Sequence, residues 1–407
     1  MLKVLRNTCS LGENLMMLFT SSDLANRFKS AFVFLATILV SLSSWSADKA
    51  VVSDEAQRWA TNMTKGVTGV SNEIFDLHML IFWICVVIGI VVFGIMFYSM
   101  INHRKSSGAV ASKFHESTAL EILWTVIPTL ILIGMAIPAT SSLIKIYDTS
   151  DADIDIKIVG YQWKWQYEYL GDDVSFFSNL STPQDEIYGR APKGEHYLLE
   201  VDEPLVIPIN KKVRFLITAN DVLHAWWVPA LAVKRDAIPG FVNDVWTRVD
   251  KPGIYRGQCA ELCGKAHGFM PIVVHAMEEV DYENWLAGKK AEAAELKAAM
   301  SQTFTMDELV ARGEQVYSTW GCGSCHGASG GGGIGPSLVG SSITTGPIND
   351  HLSLMVNGVQ GTMMQAFGEQ LNNVDMAAVI TYKRNTWGNN MGDMLQPADV
   401  LTYKRSL

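Results

Sequence analysis

Two long apolar runs dominate the hydropathy pattern of the chain. They cover residues 77–101 and 122–144, and each is long enough for an α-helix that crosses the hydrocarbon core of a bilayer. Arg104, Lys105 and Lys113 lie between them, so the positive-inside rule places the connecting loop in the cytoplasm. The pattern predicts a transmembrane hairpin whose two ends both lead to the outer side of the membrane.

A period-two pattern replaces these apolar runs in the middle of the chain. Ile154, Ile156 and Ile158 alternate with charged residues, as expected for a strand with one buried face. Further strands are predicted at residues 161–169, 198–201, 206–209, 213–217, 244–249, 253–258 and 271–275. Because Gly, Pro, Asn and Asp turns separate these short strands, they indicate a β-sandwich or barrel.

The last third of the chain has a helical pattern. Residues 281–305 are rich in Ala, Glu and Lys, which is typical of a helical linker. A helix is predicted over residues 306–317, with Thr305 as its N-cap and Glu308 three residues on, in the pattern of a capping box. A closing helix over residues 375–385 has apolar residues at helical spacing that would pack on the opening helix.

The N-terminal residues have the three-part form of a secretory signal peptide. Arg27 and Lys29 precede an apolar run at residues 31–42 that is too short to span a bilayer comfortably, and Ser46 is small enough to permit cleavage. Such a leader exports the mature N-terminus, which agrees with a hairpin whose two ends lie outside.

These patterns divide the chain into a multi-domain membrane protein. The segments are a signal peptide (1–46), an outer N-terminal segment (47–74), two transmembrane helices (75–101 and 119–144) around a cytoplasmic loop (102–118), a β domain (152–280), a linker (281–305) and an all-α domain (306–395). The 48% hydrophobic content agrees with membrane segments. The formal charge of -9 argues against a nucleic acid partner.

Six cysteines occur as two close pairs and two singles. The first pair lies in a loop where Cys259, Cys263, His267 and Met270 fall within twelve residues, with His224 upstream. Thiolates, imidazoles and a thioether are soft ligands that favour copper over calcium or magnesium. A disulfide between the two cysteines, or a zinc site completed by His267, are the alternatives from spacing alone. Neither alternative accounts for Met270.

The second cysteine pair forms the sequence Cys322-Gly-Ser-Cys325-His326. C-x-x-C-H is the attachment signature of c-type haem, in which two thioethers hold the haem and the adjacent imidazole ligates its iron. A thioredoxin-like dithiol or half of a zinc site are the alternatives, but no predicted strand precedes the motif and no second metal pair follows it. The motif therefore predicts covalently attached haem.

Several segments together resemble the copper-binding subunit II of haem-copper cytochrome c oxidases. They are Val-Leu-His-Ala-Trp-Trp-Val-Pro at 222–229, Lys-Arg-Asp-Ala-Ile-Pro-Gly at 234–240, the aromatic run at 161–169 and the cysteine loop. The resemblance covers about residues 70–280, including both apolar runs. It implies a cupredoxin fold that holds a dinuclear copper centre, CuA.

The resemblance also implies a role for each matching residue. The copper ligands would be the thiolates of Cys259 and Cys263, the imidazoles of His224 and His267, the thioether of Met270 and the backbone carbonyl of Glu261. The Glu261 side chain would reach a magnesium ion shared with subunit I. Trp163 matches the tryptophan where electrons enter, and Glu121 matches the carboxylate at the entrance of a proton channel. From the pattern alone, Trp163 could equally be a core aromatic, and the position of Glu121 favours an interfacial anchor.

The C-terminal region resembles small bacterial cytochrome c domains of the all-α class I type. Their distal loop usually has the sequence Met-Pro-Ala-Phe/Trp-Gly, and here residues 361–368 are Gly-Thr-Met-Met-Gln-Ala-Phe-Gly. Alignment on the last three residues selects Met364 as the second axial ligand, opposite His326. Gln365 replaces the expected proline, which leaves Met363 as the alternative.

The resemblance implies an electron-entry subunit of a proton-translocating terminal oxidase in a bacterial cytoplasmic membrane. Electrons would pass from cytochrome c, or from a quinol-cytochrome c reductase, through haem c and the copper pair to haem in subunit I, where oxygen is reduced. This chain would hold no catalytic residue, and subunits I and III would be its membrane partners. A subunit of a copper-containing nitric oxide reductase is the competing hypothesis. A copper storage or delivery module would leave the haem unexplained.

Overall fold

The computed structural model describes residues 61–110 and 115–407. These residues form a two-helix membrane hairpin, a β domain (residues 154–277) and a C-terminal domain (residues 306–405). The predicted fold class is confirmed, because two apolar helices precede a β-sandwich and an all-α domain. The predicted signal peptide and part of the cytoplasmic loop lie outside the described residues.

Two long helices form the membrane hairpin. Helix α1 spans Gly69–Asn102 and helix α2 spans Thr118–Tyr147, and both are long and apolar enough to cross a membrane. Helix α1 begins before its apolar run because Thr68 caps it, accepting a hydrogen bond from the Ser71 amide at 2.9 Å. Thr68 also forms a β-bridge with Val249, so the start of the hairpin is fixed to the β domain.

The β domain is a sandwich of two five-stranded sheets. Its strands are β1 (Ile154–Tyr161), β2 (Lys164–Tyr169), β3 (Val174–Ser178), β4 (Leu205–Pro208), β5 (Val213–Ala219), β6 (His224–Val228), β7 (Val233–Ala237), β8 (Asn243–Thr247), β9 (Gly253–Cys259) and β10 (Pro271–Met277), with a short helix α3 (Gln184–Ile187) before β4. The orders are β3-β2-β1-β5-β8 and β4-β10-β9-β6-β7, and β1 runs parallel to β5. Fully buried side chains such as Ile156, Phe215 and Trp226 fill the space between the sheets.

The period-two pattern predicts seven of the ten strands of the sandwich. It misses β3, β6 and β7, and two predicted segments also differ from the structure. Alternate residues of β5 are buried, as predicted. Residues 198–201 do not form the predicted strand, because Leu198 has a φ of +61° and only Val201 makes a bridge, to Leu180. The run at 161–169 is also not one strand, since a turn divides it between β1 and β2.

All the regular secondary structure of the linker and the C-terminal domain is helical. They contain α4 (Glu279–Ala299), α5 (Met306–Thr319), α6 (Cys322–His326), α7 (Ile348–Asn357), α8 (Asn373–Asn385) and α9 (Pro397–Arg405). The predicted capping box is present at the start of α5, where the Thr305 amide donates to Glu308 Oε2 at 2.8 Å and the Glu308 amide donates to Thr305 Oγ1 at 3.3 Å. The local pattern therefore determines where this domain begins.

Helices α5 and α8 cross at close range in the core of the C-terminal domain. The crossing requires Gly313, because a Cβ atom there would lie 2.2 Å from the Ala378 carbonyl oxygen. Helix α9 extends the domain past the predicted end at residue 395 and adds the fully buried Val400 to its core. Gln396 Nε2 donates to the Phe304 carbonyl at 2.9 Å, which joins the two ends of the domain.

Candidate metal and haem sites

The cysteine loop lies between β9 and β10, at one end of the second sheet. Cys259 is the last residue of β9, His224 is the first residue of β6, and Met270 directly precedes β10. The Cys259 amide donates to the Met270 carbonyl at 3.3 Å, and the Ala260 amide donates to the Ala225 carbonyl at 3.0 Å. Paired strands thus bring side chains that are distant in sequence to one place.

Six donor groups meet inside this loop. The Cys259 Sγ lies 3.8 Å from Cys263 Sγ, 3.9 Å from His224 Nδ1 and 3.3 Å from the Glu261 carbonyl oxygen, and Cys263 Sγ lies 3.5 Å from His267 Nδ1 and 3.4 Å from Met270 Sδ. Both cysteines, His224 and Met270 are buried. The structure therefore brings together all six groups that the resemblance assigns to copper.

The donor set fits a copper pair better than the two alternatives. A disulfide needs sulfur atoms about 2.05 Å apart, and the two sulfurs here are 3.8 Å apart. Structural zinc takes four thiolate, imidazole or carboxylate ligands, whereas this loop also supplies a thioether and a carbonyl oxygen. Soft sulfur ligands together with imidazole suit copper, and two neighbouring thiolates can be shared between two ions.

Asp221 orients His224, and this role of Asp221 was not predicted from the sequence. The Asp221 Oδ1 atom lies 2.8 Å from His224 Nε2, which leaves Nδ1 to face Cys259. Burial lowers the pKa of His224, but the hydrogen bonds to Asp221 and Cys259 outweigh burial and raise that pKa above its usual value. Asp221 Oδ2 also accepts from the Gln162 amide at 2.7 Å. A carboxylate behind a ligating imidazole is common at metal sites, and an aspartate three residues before His224 was the available signal.

The two cysteine sulfurs lie 3.8 Å apart and influence each other's acidity. A hydrogen bond from the Cys263 thiol lowers the pKa of Cys259 well below its usual value, with burial acting in the opposite direction. The same hydrogen bond raises the pKa of Cys263. Metal ions bind thiolates, so a metal held by both sulfurs takes the place of their protons.

The turn between β1 and β2 contacts the cysteine loop directly. Gln162 Nε2 donates to the Cys263 carbonyl at 2.8 Å, and Trp163 Nε1 donates to the same oxygen at 3.1 Å. Gly264 leaves room for this contact, since a Cβ atom there would lie 3.0 Å from Gln162 Nε2. Trp163 is only partly buried, whereas Trp165 is fully buried. The core-aromatic alternative therefore describes Trp165 better than Trp163.

The two predicted glutamate sites lie on different parts of the molecule. The Glu261 carbonyl faces Cys259, while the Glu261 side chain is exposed. Glu121 is in the first turn of α2 and is also exposed. Because an α-helix rises about 1.5 Å per residue, Glu121 lies roughly 40 Å from the other end of the helix at Tyr147. The structure therefore places Glu121 at the far end of the hairpin from the β domain.

Helix α6 presents the predicted haem-attachment residues on a single turn. Cys322 and Cys325 are free thiols. His326 Nδ1 donates to the Pro336 carbonyl at 2.8 Å, which leaves the Nε2 lone pair for iron. Gly335 lies against the imidazole, because a Cβ atom there would be 3.0 Å from His326 Cε1. The ring is thereby held in one orientation.

The interior of the C-terminal domain contains polar groups that suit a haem with its two carboxylates. In the described part of the chain, His351 Nδ1 and Arg384 Nη1 are buried without a hydrogen-bond partner. Lys383 is also buried, with its Nζ 3.1 Å from Met355 Sδ, and burial lowers the pKa of Lys383 to about 8. Unpartnered buried polar groups require an explanation, and an anionic cofactor supplies one. The sequence interpretation did not include these residues.

The surroundings of the two candidate axial methionines differ. Met364 packs against the core of the C-terminal domain, and its amide donates to Thr362 Oγ1 at 3.1 Å. Met363 is 46% exposed. The packing therefore favours Met364 over Met363.

The fold and the two sites define a class of membrane-anchored electron-transfer proteins. Family models match the chain over residues 56–141 (cytochrome c oxidase subunit II, transmembrane domain), 154–277 (cytochrome c oxidase subunit II, periplasmic domain) and 308–382 (cytochrome c oxidase, cbb3-type, subunit III). The chain belongs to the cytochrome c oxidase subunit II family and carries a fused C-terminal cytochrome c domain. Membership implies CuA copper and haem c, an electron-entry role in an oxidase complex with other oxidase subunits, and a membrane protein with a periplasmic domain.

Individual relatives match part of the chain. The chain is 39% identical over 243 residues to the probable cytochrome c oxidase subunit 2 of Rickettsia bellii, covering 60% of this chain and 88% of that protein. It is 38% identical over 244 residues to cytochrome c oxidase subunit 2 of Cyanidium caldarium, covering 59% and 94%. The crystal structure of the periplasmic domain of subunit II of cytochrome oxidase of Bradyrhizobium japonicum matches at 39% identity, covering 35% of this chain and 98% of that domain, with a TM-score of 0.32.

Proposed function

We propose that this chain accepts electrons from a cytochrome c donor and passes them through haem c and CuA to haem in subunit I of a proton-translocating oxidase. Cys322 and Cys325 would hold the haem covalently, and His326 and Met364 would ligate its iron. The six donors between His224 and Met270 would hold the copper pair. When bound, the two cofactors supply one-electron redox chemistry. The observation that carries the proposal is a continuous set of contacts between the two sites.

The contacts begin at the segment that carries Met364 and end at the cysteine loop. Gln365 Nε2 donates to the Gln162 carbonyl oxygen. Trp163 directly follows Gln162 in the chain, and its indole Nε1 donates to the Cys263 carbonyl at 3.1 Å. Because Cys263 would be one of the residues that hold the copper pair, this contact supports Trp163 as the entry residue.

The copper site is carried by rigid elements. Its ligands lie at strand ends or in a loop closed by backbone hydrogen bonds, and Asp221 fixes one imidazole from behind. A site held in this way keeps its ligand positions when its charge changes. This chain therefore contributes a fixed geometry, and no bond of a substrate is made or broken within it.

The helical linker keeps the haem domain near the copper site. In α4, Trp285 packs 5.3 Å from Tyr169 between ring centroids, and Lys289 pairs with Glu203 at 3.1 Å. A tethered carrier has a high effective concentration at its target. Electron delivery would then not depend on diffusion of a separate carrier to the copper site.

Exposed apolar residues flank the copper loop and suit a membrane partner such as subunit I. They are Leu223 (48% exposed), Phe241 (58%), Val242 (56%) and Leu262 (76%). Apolar surface of this kind marks interaction sites. In the proposal the exposed Glu261 side chain lies at the boundary with subunit I, where it would contribute to a magnesium site shared by the two subunits. Glu121 would face a proton channel on the cytoplasmic side, with subunit III as a further neighbour in a bacterial cytoplasmic membrane.

The test of the proposed function is the terminal acceptor of the purified complex. Supplied with reduced cytochrome c, the complex is expected to consume oxygen, with reduction of haem c preceding that of haem in subunit I. Both steps are followed by rapid-mixing optical spectroscopy beside an oxygen electrode. A complex that consumes nitric oxide but not oxygen would contradict the proposal.

A further inference from the structure

Lys164 occupies an unusual position between the two cofactor-binding domains. It is the first residue of β2, directly after Trp163 in the turn that contacts the cysteine loop, and it is only 7% exposed. Its Nζ lies 4.2 Å from the ring centroid of Trp320, 4.9 Å from that of Phe177 and 5.6 Å from that of Phe367. A cation over the faces of aromatic rings is attracted by their electron density. Lys164 is therefore held by a cage of three rings.

The rings of this cage come from both domains. Phe177 belongs to β3, whereas Trp320 lies two residues before Cys322 and Phe367 lies three residues after Met364. Phe177 and Trp320 also contact each other, with centroids 5.0 Å apart. One side chain of the β domain thus contacts both segments of the C-terminal domain that carry haem ligands.

Two polar contacts beside the cage join the same two domains. Gln365 donates to the Gln162 carbonyl, and Gln184 Nε2 lies 3.4 Å from the Oγ of Ser324, inside the haem-attachment turn. Burial lowers the pKa of Lys164 to about 7, while the ring faces favour its charged form. The cage thus lies in a largely dehydrated interface, where a cation–π contact is strongest.

We propose that Lys164 is the positioning residue for electron transfer between the two sites, because it clamps the haem-bearing segments onto the turn that contacts the copper loop. This inference rests on the proposed function. Electron transfer slows steeply as the gap between donor and acceptor widens. Loosening the clamp would therefore slow the internal transfer without removing either cofactor.

The experiment uses the purified oxidase complex with Lys164→Met, which keeps the chain length and the buried apolar stem but removes the charge. Haem c is reduced by a photochemical pulse, and the absorbances of haem c and of the copper centre are followed within one turnover. The internal transfer is expected to slow about tenfold, equivalent to about 1.4 kcal/mol. The haem spectrum, the copper spectrum and the copper content are expected to stay unchanged.

Two further variants separate positioning from a general effect on folding. Lys164→Arg retains a cation that can contact ring faces, so it is expected to keep the transfer rate within about threefold. Lys212→Met is the matched control, because Lys212 lies over Trp246 at 4.7 Å, away from the C-terminal domain. It is expected to leave the internal rate unchanged.

An unchanged transfer rate in Lys164→Met would overturn the clamp while leaving the proposed function intact. Absence of internal transfer in the unsubstituted complex would instead overturn the proposed function and the clamp with it. If Lys164→Met fails to assemble, Phe177→Leu removes one ring of the cage from the β domain. A normal rate in that variant would also overturn the clamp.

Discussion

Replacing Cys259 by Ser is expected to remove the copper pair from the complex while leaving the haem covalently attached. The Cys259 sulfur lies within 3.9 Å of three of the other five donors, which are Cys263 Sγ, His224 Nδ1 and the Glu261 carbonyl oxygen. A hydroxyl is neither soft nor deprotonated at neutral pH and cannot replace a bridging thiolate. Removing a residue that hydrogen-bonds to a metal ligand typically lowers metal affinity by about 10–100-fold. Removing the ligand itself is expected to lower the affinity further. The copper content per haem c should fall by two, since copper bound by other subunits is unaffected, and oxygen consumption should stop.

The matched control for this variant is Cys85→Ser. Cys85 is a free, exposed cysteine in the membrane helix α1, and the same substitution there is expected to leave copper, haem and turnover unchanged. Elemental analysis of the purified complexes, normalised to haem c absorbance, measures the difference. Full copper content in Cys259→Ser would show that this sulfur is not a bridging ligand.

Replacing Met364 by Leu is expected to change the haem and spare the copper. A thioether opposite an imidazole raises the haem reduction potential, so its loss should lower that potential by a sizeable part of the ~0.8 V range that axial ligands span. The copper spectrum is expected to stay unchanged, because the copper donors lie in the β domain. A redox titration of haem c, with optical spectra of both centres, measures the two effects in one sample.

Met363→Leu is the matched control on the neighbouring residue. Met363 is 46% exposed, whereas Met364 packs against the core of its domain. The control is therefore expected to leave the haem potential close to that of the unsubstituted chain. If Met363→Leu lowers the potential and Met364→Leu does not, the axial role belongs to Met363.

Local sequence patterns predict much of the fold, and tertiary contacts decide the rest. The alternation in β5 and the capping box at Thr305 and Glu308 depend on residues close in the chain, and both are present as predicted. Residues 198–201 have the apolar content of a strand, but the left-handed conformation of Leu198 ends any extended pairing. Helix α9 has only a short buried face, so its place depends on contact with α8.

The candidate sites show the same division. Close spacing made the cysteine loop and the haem-attachment turn recognisable in sequence, and the structure brings their side chains together as expected. Asp221 and Lys383 were missed because their importance depends on which buried group they face. The cage around Lys164 joins Phe177, Trp320 and Phe367, which are far apart in the chain. No local pattern contains that information.

In the proposed function, the loop from Cys259 to Met270, together with His224, holds two copper ions that share one electron and lie next to a haem c domain. The most direct test is a paramagnetic-resonance spectrum of the oxidised complex, with copper counted per haem c. We expect two copper ions per haem c in this chain, beyond any copper bound by other subunits, with one unpaired electron shared equally between them. A spectrum of one isolated copper ion, or a loop that contains zinc, would contradict it.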